Sequence, residues 1–209
     1  AGLVLLTGWR GDTPFHDFLC GSGTLAIEAA LIVGKRAPGL LREDYAARRW
    51  PDYDEKLWRD ERRAARAEAT PIDIPIFASD WDKQSIIDAR RNASRAGVGG
   101  FIDFAVRKAS AFAPRPGPGL ILINPPYGER MGEEGSLAPF YKSLGDVLKQ
   151  HGAGKEAWIF TRHGPLLKAV GLRPAKRHIL FNGALECRLA HFPLFSGSGK
   201  EGAVADSPS

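Results

Sequence analysis

Cysteine is scarce in this chain. Only Cys20 and Cys187 occur among 209 residues, which excludes a disulfide framework and leaves no zinc spacing. That usage suits a reducing compartment, and a cytoplasmic location is expected. The five histidines, His16, His151, His163, His178 and His191, also lack metal-ligand spacing, so no metal is expected. A membrane-length apolar run is missing as well: the longest, Leu25 to Val33, is broken by Glu28. Nothing at the N-terminus has the form of a signal peptide. Ala1-Gly2-Leu3-Val4-Leu5-Leu6 reads instead as the middle of an amphipathic segment, as in a piece of a longer protein. Acidic residues are outnumbered, 24 against 29 basic, and the formal charge of +5 with a pI near 9.4 modestly favours a polyanionic partner. What remains is ordinary. A hydrophobic content of 44% supplies a core, and the length suits one domain.

Strand and helix patterns alternate along most of the chain. Phe15 to Leu19 reads as a strand, followed by the turn Cys20-Gly21-Ser22-Gly23-Thr24 and a helix from Leu25 to Val33. Residues 34–75 break the pattern and read as an insertion with one helix near Asp54 to Ala69, packed by Leu57 and Trp58. Ile74 to Ser79 is the second strand, ending at Asp80; the helix from about Asp82 to Ala96 turns Ile86, Ile87, Ala89 and Ala93 inward and stops at Gly97. Phe101 to Val106 and Leu120 to Ile123 follow as strands. Ser136 is placed to cap a helix whose Leu137, Phe140, Tyr141, Leu144, Val147 and Leu148 keep a 3.6-residue period. Ala157 to Phe160 is the fifth strand and Pro165 to Val170 a short helix. His178 to Phe181 and Ala184 to Phe192 then form a hairpin about Asn182-Gly183. An alternating α/β chain that ends in an antiparallel hairpin predicts a Rossmann-like seven-stranded mixed sheet. Residues 196–209 read as a mobile tail.

The residues with the most chemical content are Asn124-Pro125-Pro126-Tyr127, directly after the apolar strand. Asn-Pro-Pro-Tyr at a strand end is the motif of S-adenosylmethionine (SAM) enzymes that methylate a planar nitrogen. The lone pair of such a nitrogen is delocalised, so the base must be held while it is unmasked. The Asn124 side-chain oxygen and the carbonyl before Pro125 can accept both N–H bonds, and the prolines fix them in place. Tyr127 offers a face on which a flat base can stack. Glu129 and Arg130, just downstream, are candidate substrate contacts. The bland alternative is that Pro-Pro merely ends a strand.

The glycine turn admits two readings. Gly21-x-Gly23-x-x-Ala26 satisfies the loose dinucleotide fingerprint of a nicotinamide oxidoreductase, but that fingerprint needs an acid about 20 residues on. Here the acid at a strand end is Asp80, beyond the insertion, where a carboxylate can take two ribose hydroxyls. Cys20, Gly21, Ser22 and Gly23 would bring backbone close to a cofactor, Asp17 would face its ammonium group and Trp81 its adenine.

On these residues the chain resembles the N-terminal methyltransferase domain of the bacterial ribosomal RNA large-subunit guanine-N2 methyltransferases, a THUMP-containing family often labelled N6-adenine-specific DNA methylases. The matching segments are Asp17 to Ala30, Ala37 to Leu40, Trp50 to Ala69, Ser79-Asp80, Asn124 to Arg130 and Asn182 to Cys187. The resemblance implies SAM as methyl donor, guanine in ribosomal RNA as acceptor and a THUMP region ahead of residue 1. It implies a catalytic unit over residues 1–195, expected to be a monomer. The chain departs from the family pattern at Phe18, where proline is usual, and at Lys108, where an acid usually meets the adenine amine; the backbone at Ala109 is left for that role. An adenine-N6 methyltransferase is the nearest alternative, since the motif serves both bases, and an idle RNA-binding module is a further one. Lys168, Arg173, Lys176 and Arg177 form a basic cluster near the last hairpin that could meet phosphate, although a solvated face is the favoured reading.

Overall fold

The computed structural model describes residues 1–126 and 137–195. Ser136 and the tail expected at 196–209 lie outside the described residues. The strands are β1 (Phe15–Asp17), β2 (Ile76–Asp80), β3 (Ile102–Val106), β4 (Leu120–Ile123), β5 (Glu156–Thr161), β6 (Lys176–Asn182) and β7 (Leu185–Pro193). They form one seven-stranded sheet in the order β3-β2-β1-β4-β5-β7-β6. β1 to β5 are parallel, and β7 pairs antiparallel with both β5 and β6. The mixed seven-stranded sheet with its antiparallel hairpin is therefore present as the sequence predicts.

The helices are α1 (Gly2–Leu6), α2 (Thr24–Val33), α3 (Glu55–Ala67), α4 (Lys83–Arg95) and α5 (Leu137–His151). Two apolar layers enclose the sheet. On one face Val4, Ala26, Ala30, Ile86 and Ala89 from α1, α2 and α4 pack on Phe15, Ile76, Leu122 and Trp158. On the other, Tyr141, Leu144 and Leu148 of α5 pack on Ile121, Ile123, Ile159 and Ala190. Burial from both sides is why Leu120 to Ile123 is an unbroken apolar run with no polar alternation.

Several boundaries differ from expectation. β1 ends at Asp17, because Phe18 and Leu19 already turn toward the glycine loop, where the Asp17 carboxylate accepts the Leu19 N–H. β2 begins at Ile76: Pro75 has no N–H to give the ladder, although its carbonyl still accepts from Phe15 N. β3 begins at Ile102, after a 3₁₀ turn over Gly99–Phe101. The short helix expected from Pro165 to Val170 is a 3₁₀ helix over Gly164–Lys168. In the hairpin Asn182 pairs with Leu185, so the two turn residues are Gly183 and Ala184, with Gly183 at φ 62°. A left-handed glycine in first position followed by an ordinary residue fits a type II′ turn.

Two residues expected inside are outside. Leu57 is 58% exposed and Ile87 41%. The inward stripe of α4 is Ile86, Ala89 and Ala93, and Ile87 lies about 100° around the helix from Ile86. α3 buries no residue fully and packs on its own insertion instead. Trp58 meets Tyr45 edge-on at 4.9 Å, and the Arg62 guanidinium donates to the carbonyls of Leu40 and Arg42. The insertion closes on itself at the base, where Thr70 N donates to Gly34 O.

Candidate cofactor and substrate site

Three separate stretches of sequence meet at the carboxyl edge of the sheet. β1 lies between β2 and β4, and register carries the geometry: Asp17 is level with Ala78, so the chain leaving β1 turns between Asp80 at the end of β2 and Asn124 just past β4. This is the point where strand order reverses, the place where open α/β sheets bind ligands. β2 and β4 stand two strand spacings apart, about 10 Å, with the glycine loop between them.

The loop is held by β2 and by α4. Asp80, only 9% exposed, accepts the Gly21 N–H at 2.9 Å through Oδ2 and the Asp82 N–H at 3.0 Å through Oδ1. Each oxygen keeps a lone pair for a further donor, so the carboxylate can fix the loop and still take two hydroxyls. Cys20 N donates to Ser79 O and Gly23 N to Cys20 O. From α4, the Asn92 amide donates to Ser22 O at 3.1 Å. Asn92 and the loop-fixing role of Asp80 are functional features that sequence reasoning missed, since neither shows in local spacing. Asp82 in turn caps α4, accepting from Ser85 N at 2.9 Å.

The glycines do different work. Gly21, at φ 49°, has open space where a Cβ would stand, so a ligand can approach its backbone. Gly23, at φ 85°, starts α2, and a Cβ there would come 3.0 Å from Ala89. It serves helix packing.

Asp17 is the electrostatic anomaly of the site. Its side chain is 1% exposed, Oδ1 accepts from Leu19 N, and Oδ2 has no hydrogen-bond partner among the described residues. Burial, reinforced by the nearby Asp80 charge against the Leu19 hydrogen bond, pushes its carboxyl up to about 8. A buried acceptor with a spare oxygen fits a cationic ammonium group. Burial also pushes the Cys20 thiol up, with the Asp17 and Asp80 charges adding to it, so Cys20 is no nucleophile. Beside Asp17, burial and the Lys155 charge lower His16 to about 4.

β3 and β4 are joined by a long loop whose only helical turn is the 3₁₀ segment Ala109–Ala111. The Lys155 ammonium fastens that loop by donating to Arg115 O and Gly117 O at 2.8 and 2.9 Å. A cavity of about 220 Å³ remains on the sheet face, lined by His16, Asp17, Phe77, Ser79, Arg107 and Phe112 among others. Lys108 is exposed and Ala109 half-buried, at the same edge as Asp80, whose carbonyl accepts from Arg107 N. Trp81, 70% exposed, is free to cover a ligand.

Of the predicted acceptor-side residues, Asn124 and Pro126 are exposed at the edge and Pro125 is buried behind them. Tyr127, Glu129 and Arg130 lie outside the described residues. Asp17, Cys20, Gly21, Ser22, Gly23, Asp80 and Asn124 are brought together. Among the described residues no cluster of three or more metal-ligating side chains occurs, and no helix is long and apolar enough to cross a membrane.

Known proteins resemble the chain in sequence and in fold. Residues 1–191 match the family described as UPF0020, RMKL-like, methyltransferase domain. A Legionella pneumophila (strain Philadelphia 1) protein named ribosomal RNA large subunit methyltransferase K/L is 42% identical over 174 residues, 83% of this chain and 25% of that one. The fold superposes on SMU.472, solved complexed with SAH, with a TM-score of 0.85 and 30% identity over 94% of this chain and 52% of that one. A Listeria monocytogenes structure described as a predicted N6-adenine-specific DNA methylase gives 0.83 and 32%, over 92% of this chain and 50% of that one. The chain spans from 25% to about half of the length of these relatives.

Proposed function

The chain belongs to the RMKL-like methyltransferase domain family, and from that premise we propose that it uses SAM to methylate the exocyclic N2 amine of a guanine in large-subunit ribosomal RNA. In this reading residues 1–195 are the catalytic unit, 34–75 an excursion from it, and the unit acts as a monomer in the cytoplasm. The observation that carries the proposal is the convergence of Asp80, the Gly21 loop and Asn124 at one switch point, with a buried, half-satisfied Asp17 behind them. Bound there, SAM supplies an electrophilic methyl group.

The remaining work belongs to the chain. Asp17 pairs with the ammonium group, Asp80 takes the ribose hydroxyls, and the backbones of Cys20, Gly21, Ser22 and Gly23 approach the amino-acid portion. Trp81 and the Ala109 backbone border the adenine. Asn124 and the carbonyl before Pro125 accept the two N–H bonds of the acceptor amine, which turns its lone pair toward the donor; the surplus proton then leaves to water. Tyr127, with Glu129 and Arg130, holds the flipped base. Catalysis here is positioning and electrostatics, with no covalent intermediate.

The test is methyl transfer to unmodified ribosomal RNA, with the nucleoside product identified by mass spectrometry. Asn124→Ala should cut transfer about 100-fold or more while SAM affinity stays within a few-fold. Full activity in that variant would reduce Asn-Pro-Pro-Tyr to a strand terminator. Methylguanosine is the expected product. Methyladenosine would favour the adenine-N6 reading, which the name of the Listeria neighbour keeps in view.

A further inference from the structure

The hairpin carries a surface that the site above does not use. Along β6 burial alternates: His178 and Leu180 are half-buried, while Arg177, Ile179 and Phe181 face solvent, Ile179 with 61% and Phe181 with 70% of its surface exposed. Register fixes which side of the sheet this is. Arg177 pairs with Ala190, Ile179 with Arg188 and Phe181 with Glu186, while Ala190 and Arg188 pair on with Ile159 and Thr161. The exposed strip therefore lies on the α5 side, where the covering layer among the described residues reaches Gly164, against the Arg188 guanidinium.

Register also fixes its distance from the chemistry. Ile123 is level with Ile159, Ala190 and Arg177, so Asn124 is one residue above that line and Phe181 four. At about 3.3 Å per residue and 4.8 Å per strand, Phe181 stands about 10 Å beyond Asn124 and about 14 Å to its side. The hairpin is a wall rising beside the acceptor.

We propose that this face of β6 is a platform on which unpaired nucleotides flanking the methylated base stack, Phe181 and Ile179 meeting the bases and Arg177 a phosphate. The proposal rests on the RNA methyltransferase reading above. An aromatic ring and a branched aliphatic side chain, two residues apart and bordered by basic groups, match the alternation of base and phosphate in a single strand. On the same face Arg188 is already paired with Glu186, so Arg177 supplies the charge of the strip. Arg177 has a second consequence, since a charge on an edge strand opposes pairing with another copy of the chain.

The experiment is fluorescence anisotropy with a labelled single-stranded RNA decamer of mixed sequence, on the full chain saturated with SAH, whose affinity is titrated on the same samples. Phe181→Ala should weaken decamer binding about 10-fold with SAH affinity and melting temperature unchanged, and Phe181→Trp should restore it. Arg177→Gln should reduce the salt dependence by about one phosphate contact. SAH binding with unaltered decamer binding in Phe181→Ala overturns the platform alone, as does equal binding of the decamer in duplex form. A wild-type dimer that Phe181→Ala dissolves also overturns it and makes β6 a self-association edge. Failure of the wild-type chain to bind SAH overturns the parent reading instead.

Discussion

Asp17 and His16 are adjacent, both buried, and shifted in opposite senses, so together they give the protein a characteristic pH dependence. Asp17 is raised in the folded state from 3.8 to about 8, so its contribution is fully present below 3.8 and lost as pH rises toward 8. His16 is lowered from 6.5 to about 4, so its contribution is present above 6.5 and lost as pH falls. Between pH 4 and 6.5 the two slopes oppose and nearly cancel. From 6.5 to 8 only Asp17 acts, and stability should fall by about 2 kcal/mol. Urea denaturation at pH 6.5 and 8.0 measures this, and Asp17→Asn should abolish the difference; an undiminished decline in that variant would assign the effect elsewhere. The same carboxyl makes cofactor affinity pH-dependent. An ammonium partner favours the ionised form, so SAH should bind more tightly as pH rises from 6 toward 8 in the wild-type chain, and Asp17→Asn should flatten the trend. At Asp80, Asp80→Ala should weaken SAH binding by about 1.5–3 kcal/mol, the scale for hydrogen bonds to a charged group, and calorimetry reads that directly.

Within the strand–loop–helix element that opens the sheet, the two glycines of one motif should respond differently to the same change. Gly21→Ala places a Cβ in open space at φ 49°, which costs about 1 kcal/mol in backbone strain and obstructs a ligand. Gly23→Ala adds to that strain a contact 3.0 Å from Ala89 of α4, so about 2–3 kcal/mol of stability should be lost. Denaturation midpoints should rank Gly23→Ala as the less stable variant, and Gly21→Ala should lose SAH binding while remaining folded at 25 °C. This division was not legible in the sequence. Gly21-x-Gly23 announces a close backbone approach, but which glycine meets the ligand depends on the packing of α4, some 65 residues further on. Legibility was greatest where burial writes a one-dimensional pattern: the four-residue run of β4, the α5 stripe and the strand ends at Asp80 and Asn124. It was poorest where an element packs on an irregular neighbour. Leu57 looked like an anchor of α3, yet that helix is fastened by Trp58 and Arg62, because its partner is a loop and not the sheet. The hairpin turn slipped by one residue for a related reason: Asn-Gly favours type I′, but cross-strand pairing of Asn182 with Leu185 took Asn182 into the ladder.

At the scale of the whole molecule, the decisive fact is strand order, which no local pattern contains. Asp80 and Asn124 are 44 residues apart in sequence, and they flank one loop only because the chain places β2 and β4 on opposite sides of β1. The sequence marked each as a strand end with chemistry; the sheet turns that pair into a site. Order has an energetic consequence too. A ligand lodged between Asp80 and Asn124 touches loops from β1, β2, β3 and β4 together, so it should stabilise the domain as one cooperative unit and raise its melting temperature without broadening the transition. For a ligand at 100 times its dissociation constant the gain is about 2.7 kcal/mol, which for a domain of this size corresponds to a rise of about 5–10 °C. Thermal unfolding with SAH should show that shift, whereas the same concentration of NAD should leave the midpoint unchanged. The contrast isolates the glycine loop, since its fingerprint alone accommodates either cofactor; what differs is the acid, delivered here by β2 after the insertion and already committed through Gly21 N to shaping the loop. A shift with NAD and none with SAH would reassign the loop to a nicotinamide and leave Asn124 without a methyl donor to face.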